Sequence, residues 1–299
     1  MKPLLATVSA PAKINLYLRV KGRRPDGYHE LESVMQKLEL ADSARLTVVE
    51  GSGITLSCPD AALPEDDTNL AWRAARLFLE ETGLKRRVEI VLDKKIPVSA
   101  GLGGGSSDGA AVLLALNELL RTDLDERILL ALAVRLGADV SFFIKKNLAA
   151  ALAEGIGERL SPVAGIQNCE ILLVNPGFPV STRWVFDNLA LTTNSNPYIL
   201  APEKVSQPGI YSGSGTDFLK LAGPEGFFND LEAVTIARHP EIELIKKAML
   251  ADGAMVALMS GSGPTVFGVF KDHAKAVSCS EKFRSFYGKN VFLTRPWCS

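Results

Sequence analysis

Apolar and polar residues alternate through residues 4–20, a stretch rich in β-branched side chains around Pro11, and this period of two predicts a strand. Residues 45–49 and 88–92 have the same character. Between them the period lengthens. Leu70, Ala71, Ala74, Leu77 and Phe78 fall on one face of a helix, with Thr68 placed to cap its start and Gly83 standing where a left-handed stop belongs. Residues 111–120 and 125–136 predict two more helices, the second stopped by Gly137. The alanine-rich residues 149–152 read as a short strand, and Glu154-Gly155-Ile156-Gly157-Glu158 as a turn. A boundary is expected there, dividing the chain into residues 1–155 and 156–299.

The second half reopens with Glu170-Ile171-Leu172-Leu173-Val174, a run too uniformly apolar for a half-exposed strand, ended by Asn175-Pro176-Gly177. Residues 192–215 are crowded with Thr, Asn, Ser, Pro and Gly and read as a mobile insertion. Helical patterns return at 230–237 and 241–250, followed by strand patterns at 255–259 and 265–270. The mixture is α+β in both halves.

At 299 residues the chain is long enough for two cores. Its 33 Lys+Arg balance 34 Asp+Glu, a net charge of -1, which disfavours nucleic acid or an anionic membrane as the main partner. Any anion binding must be local. Cys58, Cys169, Cys279 and Cys298 form no Cys-x-x-Cys pair, and His29, His239 and His273 are dispersed, so neither a zinc site nor a disulfide framework is expected. The apolar part of the N-terminus is too short for a signal peptide, and no run reaches roughly 18 apolar residues. A cytoplasmic protein without a membrane partner is expected.

The densest chemistry lies in Pro97-Val98-Ser99-Ala100-Gly101-Leu102-Gly103-Gly104-Gly105-Ser106-Ser107-Asp108. Its glycines leave backbone N–H groups open, its serines suit a helix N-cap, and a helix follows, so the run reads as a phosphate cradle. It is not a P-loop, because it lacks the Gly-Lys-Ser/Thr ending. Nor does it fit the dinucleotide fingerprint, which belongs to the first strand of a βαβ unit. Asp108 reads as a solvent-facing charge in the first helical turn, stabilised by the helix dipole. Lys13 lies among apolar residues, where an ammonium requires a partner.

Three separated segments carry a resemblance. Pro11-Ala12-Lys13-Ile14-Asn15-Leu16, the glycine run, and Ser260-Gly261-Ser262-Gly263-Pro264-Thr265-Val266-Phe267 resemble, in order, the signature segments of the GHMP small-molecule kinases. The resemblance implies a two-domain α+β fold. Its N-terminal nucleotide-binding domain would be ribosomal-protein-S5-domain-2-like and its C-terminal substrate domain ferredoxin-like, with the active site in the cleft between them. Arg24-Pro25-Asp26-Gly27-Tyr28-His29-Glu30-Leu31 and Leu136-Gly137-Ala138-Asp139-Val140-Ser141-Phe142-Phe143 narrow it to the branch that phosphorylates the 2-hydroxyl of a cytidine-diphosphate-linked methylerythritol in non-mevalonate isoprenoid synthesis. A kinase for homoserine, mevalonate or a sugar is the neighbouring alternative, disfavoured by Gly27-Tyr28-His29-Glu30. A non-catalytic sensor on the same fold is disfavoured because both Lys13 and Asp139 are retained.

The resemblance implies the roles. Asp139 is the general base and Lys13 its charged partner, against the plainer reading of Asp139 as a local cap. Residues 97–107 hold the ATP phosphates, with Asn69 and Lys94 toward the adenine. Tyr28 stacks on the cytosine, His29 meets its hydrogen-bonding edge, Asn15 lies near the polyol or base, and Phe186 is the second stacking surface, in competition with Trp184. The run from Ser260 to Thr265 would be an ordinary hairpin turn on its own, and by resemblance it shapes the substrate diphosphate pocket and supports the glycine run. Mg2+ is implied by ATP chemistry, with Ser107 a candidate oxygen ligand and no dedicated protein metal site. A monomer or weak homodimer is expected.

Overall fold

A computed structural model describes residues 2–59, 63–189 and 217–298. The polar stretch at 192–215 lies outside the described residues. Two compact units interleave along the chain: Met1–Ala12, Leu40–Ile96 and Gly103–Asn147 form the first, and Lys13–Glu39, Pro97–Leu102 and Leu148–Ser299 the second. Strands β1 (Leu4–Arg23) and β2 (His29–Glu50) contribute to both. β1 runs only three residues past the pattern at 4–20 that announces it, whereas β2 is much longer than the pattern at 45–49, because burial changes along it and breaks the period of two.

In the first unit, residues 43–50 of β2 pair antiparallel with β4 (Arg86–Asp93), and β3 (Gly53–Ser57) adds to β4 in parallel. Helix α1 (Leu70–Thr82) ends at Gly83 (φ 65°) as the pattern predicts. Its cap, however, is Asn69, whose side-chain oxygen accepts the Ala71 N–H, while the Thr68 hydroxyl donates to Asp66. The buried face of α1 holds Ala71, Ala74, Ala75, Leu77 and Phe78. Three alanines on that face let α2 (Gly104–Leu120) approach closely. Helix α3 (Glu126–Leu136), capped by Asp125, and the short α4 (Val140–Ile144) complete the unit.

In the second unit, residues 31–36 of β2 pair with β5 (Ala150–Gly155), which pairs with β6 (Arg159–Pro162) across the expected turn. A separate antiparallel sheet has the order β11-β7-β10-β9, built from β7 (Glu170–Val174), β9 (Val256–Met259), β10 (Val266–Phe270) and β11 (Val291–Thr294). Every residue of β7 and β10 is buried, which accounts for the continuous apolar run at 171–174. The two-residue β8 (Phe228–Asn229) pairs in parallel with Tyr17 and Leu18 of β1.

Helices α5 (Thr182–Asp187), α6 (Phe218–Ala222), α7 (Glu232–Arg238), α8 (Glu241–Ala251) and α9 (His273–Tyr287) surround these strands. Leu172, Val174, Ile245, Met249, Phe270 and Phe283 share one core, each side chain worth roughly 1.5–3 kcal/mol on burial. Helix α9 carries no strong apolar stripe. Its buried positions are Ala276, Cys279, Ser280 and Phe283, helically spaced but mostly small, so its sequence does not announce it.

Gly109 sits inside α2, where a Cβ would meet the Leu70 carbonyl oxygen at 3.4 Å, an ordinary van der Waals contact. Helical backbone at this position suits alanine as well as glycine. Gly109→Ala should therefore raise stability by about 0.5–1 kcal/mol, read as a higher Tm in a thermal melt.

Candidate active site

The glycine run crosses from one compact unit to the other. Residues Pro97–Leu102 belong to the second, and the chain enters the first at Gly103. Ser99 (φ 52°), Gly101 (φ 77°) and Gly103 (φ 71°) all take left-handed backbone, which winds this short stretch into a tight loop. A Cβ on Gly101 would lie 2.1 Å from the Ser260 carbonyl oxygen, so only glycine allows the loop to rest on the 260–265 turn. The Ser260 hydroxyl donates to the Gly101 carbonyl (2.9 Å), and the Lys13 N–H to the Leu102 carbonyl (2.9 Å).

Beyond Gly103 the loop becomes the first turn of α2. Gly103 occupies the N-cap position and no side chain caps this helix. The expected serine cap is not made, because Ser106 and Ser107 lie inside the helix. Its leading N–H groups are left without a side-chain acceptor, which is the arrangement that attracts an anion. Gly105 is exposed, Ser106 half-buried and Ser107 buried. Pro97 is half-buried, Val98 exposed, and Ala100 and Leu102 buried.

Asp108 is not solvent-facing, as its place in the first turn suggested. It is buried, and its carboxylate accepts the Lys94 ammonium together with Asp42. Asp42 also accepts the N–H groups of Lys95 (2.6 Å) and Ile96 (2.8 Å), tying the approach to the glycine run. One cation faces two carboxylates, and burial pushes the Asp108 carboxyl up to about 6 against the pull of Lys94. Burial opposes the Lys94 ammonium too, but Asp108 and Asp42 outweigh it and raise Lys94 above its ordinary value. Asn69 is committed at both ends, accepting from Ala71 N–H and donating to the Pro64 carbonyl.

Among the described residues, Ser107 Oγ, Asp108 Oδ1 and Ser141 Oγ are buried side-chain oxygens with no hydrogen-bond partner. Such groups are costly unless a ligand, ion or water completes them. The Ser107 hydroxyl is the hard oxygen donor that Mg2+ favours. No group of three or more His, Cys, Asp or Glu side chains among the described residues could hold a metal.

In the first unit Asp139 is half-buried at the N-cap position of α4, yet its side chain makes no capping bond to that helix. In the second unit Lys13 is 4% exposed and donates to Asn15 Oδ1 (2.7 Å). Asn15 donates to the Ser33 hydroxyl (2.8 Å), and Ser33 to the Tyr17 carbonyl (2.7 Å). The buried lysine is thereby held by a chain of satisfied polar groups, as its apolar setting demands.

Tyr28 is 61% exposed at the Asp26-Gly27 turn, its N–H held by Asp26. The His29 ring stacks on Phe186 with centroids 5.0 Å apart and planes inclined by 27°. Burial, aided by Arg23, lowers the His29 pKa, so its imidazole is neutral at pH 7 and offers one donor and one acceptor. Trp184 is engaged elsewhere, its ring lying 4.4 Å from the Arg238 guanidinium. Sequence reasoning did not single out Asp42, which lies in an unremarkable stretch of β2 and becomes a partner of Lys94 only through pairing with β4.

Known proteins are similar to this chain over most of its length. Residues 69–147 match the family described as GHMP kinases N terminal domain, and residues 207–289 match GHMP kinases C terminal. The chain is 45% identical over 279 residues to a 4-diphosphocytidyl-2-C-methyl-D-erythritol kinase of Geobacter sulfurreducens, covering 93% of this chain and 95% of that one. It is 45% identical over 287 residues to the enzyme of the same name from Syntrophotalea carbinolica, covering 96% and 97%. A crystal structure of 4-(cytidine 5'-diphospho)-2C-methyl-D-erythritol kinase superimposes with a TM-score of 0.75 at 36% identity, over 98% of this chain and all of the other. A homoserine kinase from Cytophaga hutchinsonii shares the fold alone, with a TM-score of 0.71 at 19% identity over 97% and 93% of the two chains. No helix among the described residues is long and apolar enough to cross a membrane.

The elevated Asp108 pKa has a measurable sign. An unfolded Asp titrates near roughly 3.9, so between there and about 6 the native state binds the extra proton, and stability from this group falls as pH rises through that window. A carboxyl-carbon NMR titration should place the Asp108 midpoint near 6. A midpoint at the ordinary carboxylate value would contradict burial as the dominant influence on this carboxyl.

Proposed function

The chain belongs to the 4-diphosphocytidyl-2-C-methyl-D-erythritol kinase family of the GHMP kinases, and from that premise we propose that it transfers the γ-phosphoryl group of ATP to the 2-hydroxyl of 4-diphosphocytidyl-2-C-methyl-D-erythritol. It is an ATP-dependent small-molecule kinase of isoprenoid synthesis. The observation that carries the acceptor assignment is the His29–Phe186 stack beside the exposed Tyr28. A neutral imidazole with donor and acceptor edges suits the cytosine, and Tyr28 and Phe186 supply apolar faces for it. Asn15 lies toward the polyol or base, its amide already orienting Lys13.

Residues 97–107 hold the ATP phosphates through backbone N–H groups and the α2 dipole. Asn69 and Lys94 act on the adenine side through the backbone they brace, since the side chains of both have protein partners. Asp139 accepts the proton of the 2-hydroxyl as its oxygen bonds to the γ-phosphorus. The bond to the β,γ-bridging oxygen breaks and ADP leaves. Lys13 offsets negative charge around the transferred group. Mg2+, when bound with the nucleotide, neutralises charge on the β- and γ-phosphates, and Ser107 would contribute one oxygen to it.

The deciding assay incubates pure protein with ATP, Mg2+ and 4-diphosphocytidyl-2-C-methyl-D-erythritol, with homoserine and mevalonate as parallel acceptors. Phosphorylation of the cytidyl substrate alone is expected. Asp139→Asn should lower kcat by about 10² to 10⁴-fold with acceptor binding retained, and full activity would remove Asp139 from the base role. Phe186→Ala should raise the acceptor KM about tenfold with ATP affinity unchanged, since stacking on a base contributes about 1–3 kcal/mol. An unchanged acceptor KM would show that Phe186 does not face the base.

A further inference from the structure

We propose that Asn229 is a positioning residue for nucleotide binding, holding the 260–265 turn at the place where that turn supports the first half of the glycine run. The proposal rests on the reading that this run holds the ATP phosphates. Asn229 closes β8 and is 4% exposed. Its amide nitrogen donates to two carbonyls, Met259 (2.8 Å) and Gly261 (2.7 Å), and its oxygen accepts the Leu231 N–H (2.9 Å). Of the standard side chains of this size only an uncharged amide can do all three, because an aspartate carboxylate has no donor and leucine has neither donor nor acceptor.

The residues around it extend the same clamp. The Asp230 N–H donates to the Leu18 carbonyl (3.0 Å), and the Asp230 carboxylate accepts the Val20 N–H (2.7 Å). Both bonds anchor the clamp to β1, the strand that carries Lys13 and Asn15. The Glu232 carboxylate accepts the Met259 N–H (2.7 Å) and the Lys246 ammonium (2.7 Å). Both main-chain groups of Met259 that face this side are thereby taken by Asn229 and Glu232.

From the turn the constraint passes directly to the glycine run. The Ser260 hydroxyl holds the Gly101 carbonyl, and a Cβ on Gly101 would come within 2.1 Å of the Ser260 carbonyl oxygen and 3.2 Å of the Gly263 nitrogen. With main chain against main chain there is no flexible side chain to absorb a shift. A displacement of the turn must move Gly101 or break the contact.

The test is ATP binding by calorimetry in the presence of Mg2+, on the full chain. Asn229→Asp should weaken ATP binding about tenfold or more, because a carboxylate would face two carbonyl oxygens. Ser260→Ala should weaken it less, and the double variant should lose no more than Asn229→Asp alone, since both cut one path. Ile245→Val, a mild truncation in the core of the same unit, should lower Tm and leave ATP affinity unchanged. If Ile245→Val weakens ATP binding as much as Asn229→Asp does, Asn229 is merely structural and the proposal is overturned. Unchanged ATP affinity in Asn229→Asp overturns it alone, whereas a wild-type protein that binds no ATP overturns the reading of the glycine run as well. Where Asn229→Asp does not fold, Ser260→Ala decides, and undiminished affinity there rejects the proposal.

Discussion

Main chain rests on main chain where Gly101 meets the 260–265 turn, both within the second unit. A side chain at 101 would occupy the space of the Ser260 carbonyl oxygen, so the loop and the turn can be positioned only together. Every polar side chain of the turn is engaged. Ser260 reaches Gly101, Ser262 pairs with Thr182, and Thr265 accepts from Asn175, while Asn229 and Thr235 take turn carbonyls from the opposite side. A glycine-rich turn left to itself would be flexible; here Asn175, just past β7, and side chains from α5, β8 and the neighbouring α7 hold it.

The other half of the glycine run depends on charge. Lys94 between Asp42 and Asp108 is a buried pair with one carboxylate in excess. Such an arrangement is weak evidence for added stability, because desolvation of three ions offsets much of their attraction. What it supplies is placement. Asp42 grips the backbone at Lys95 and Ile96 on the way into the loop, and Asp108 sits one residue beyond Ser107, so the cluster brackets the loop at both ends. The unpartnered oxygens of Ser107, Asp108 and Ser141 in the same unit are the counterpart of that order: they are held in place without being satisfied by protein.

Regular elements were legible wherever the period of apolar residues was clean. Helix α1 and its Gly83 stop, the helix ending at Leu136, and β7 follow from spacing and turn chemistry. The full length of β2 and the helix α9 were not, because their buried positions include polar residues such as Gln36, Lys37 and Ser280 that hide the pattern. Caps were read one residue out at α1, where Thr68 and Asn69 are both competent and only backbone geometry chooses between them. The Gly-rich segment is legible as a loop leading into a helix, but its serines are helix interior rather than cap.

By itself the sequence determined the family, through three ordered signature segments, and the chemical inventory: glycines bare enough to cradle phosphate, a lysine in an apolar strand, an aspartate after Gly137 and a Tyr-His pair at a turn. These are properties of residue type and local spacing, which a chain carries before it folds. Only the tertiary structure decided which of them are joined. It buried Asp108 against Lys94 when local rules put it in solvent, laid His29 on Phe186, gave Lys13 its neighbour Asn15, and brought Asn229 to the 260–265 turn. The physical reason is that each of these relations, except the neighbouring Lys13 and Asn15, spans elements far apart in sequence. Such pairings are set by strand register and core packing, which no local period encodes.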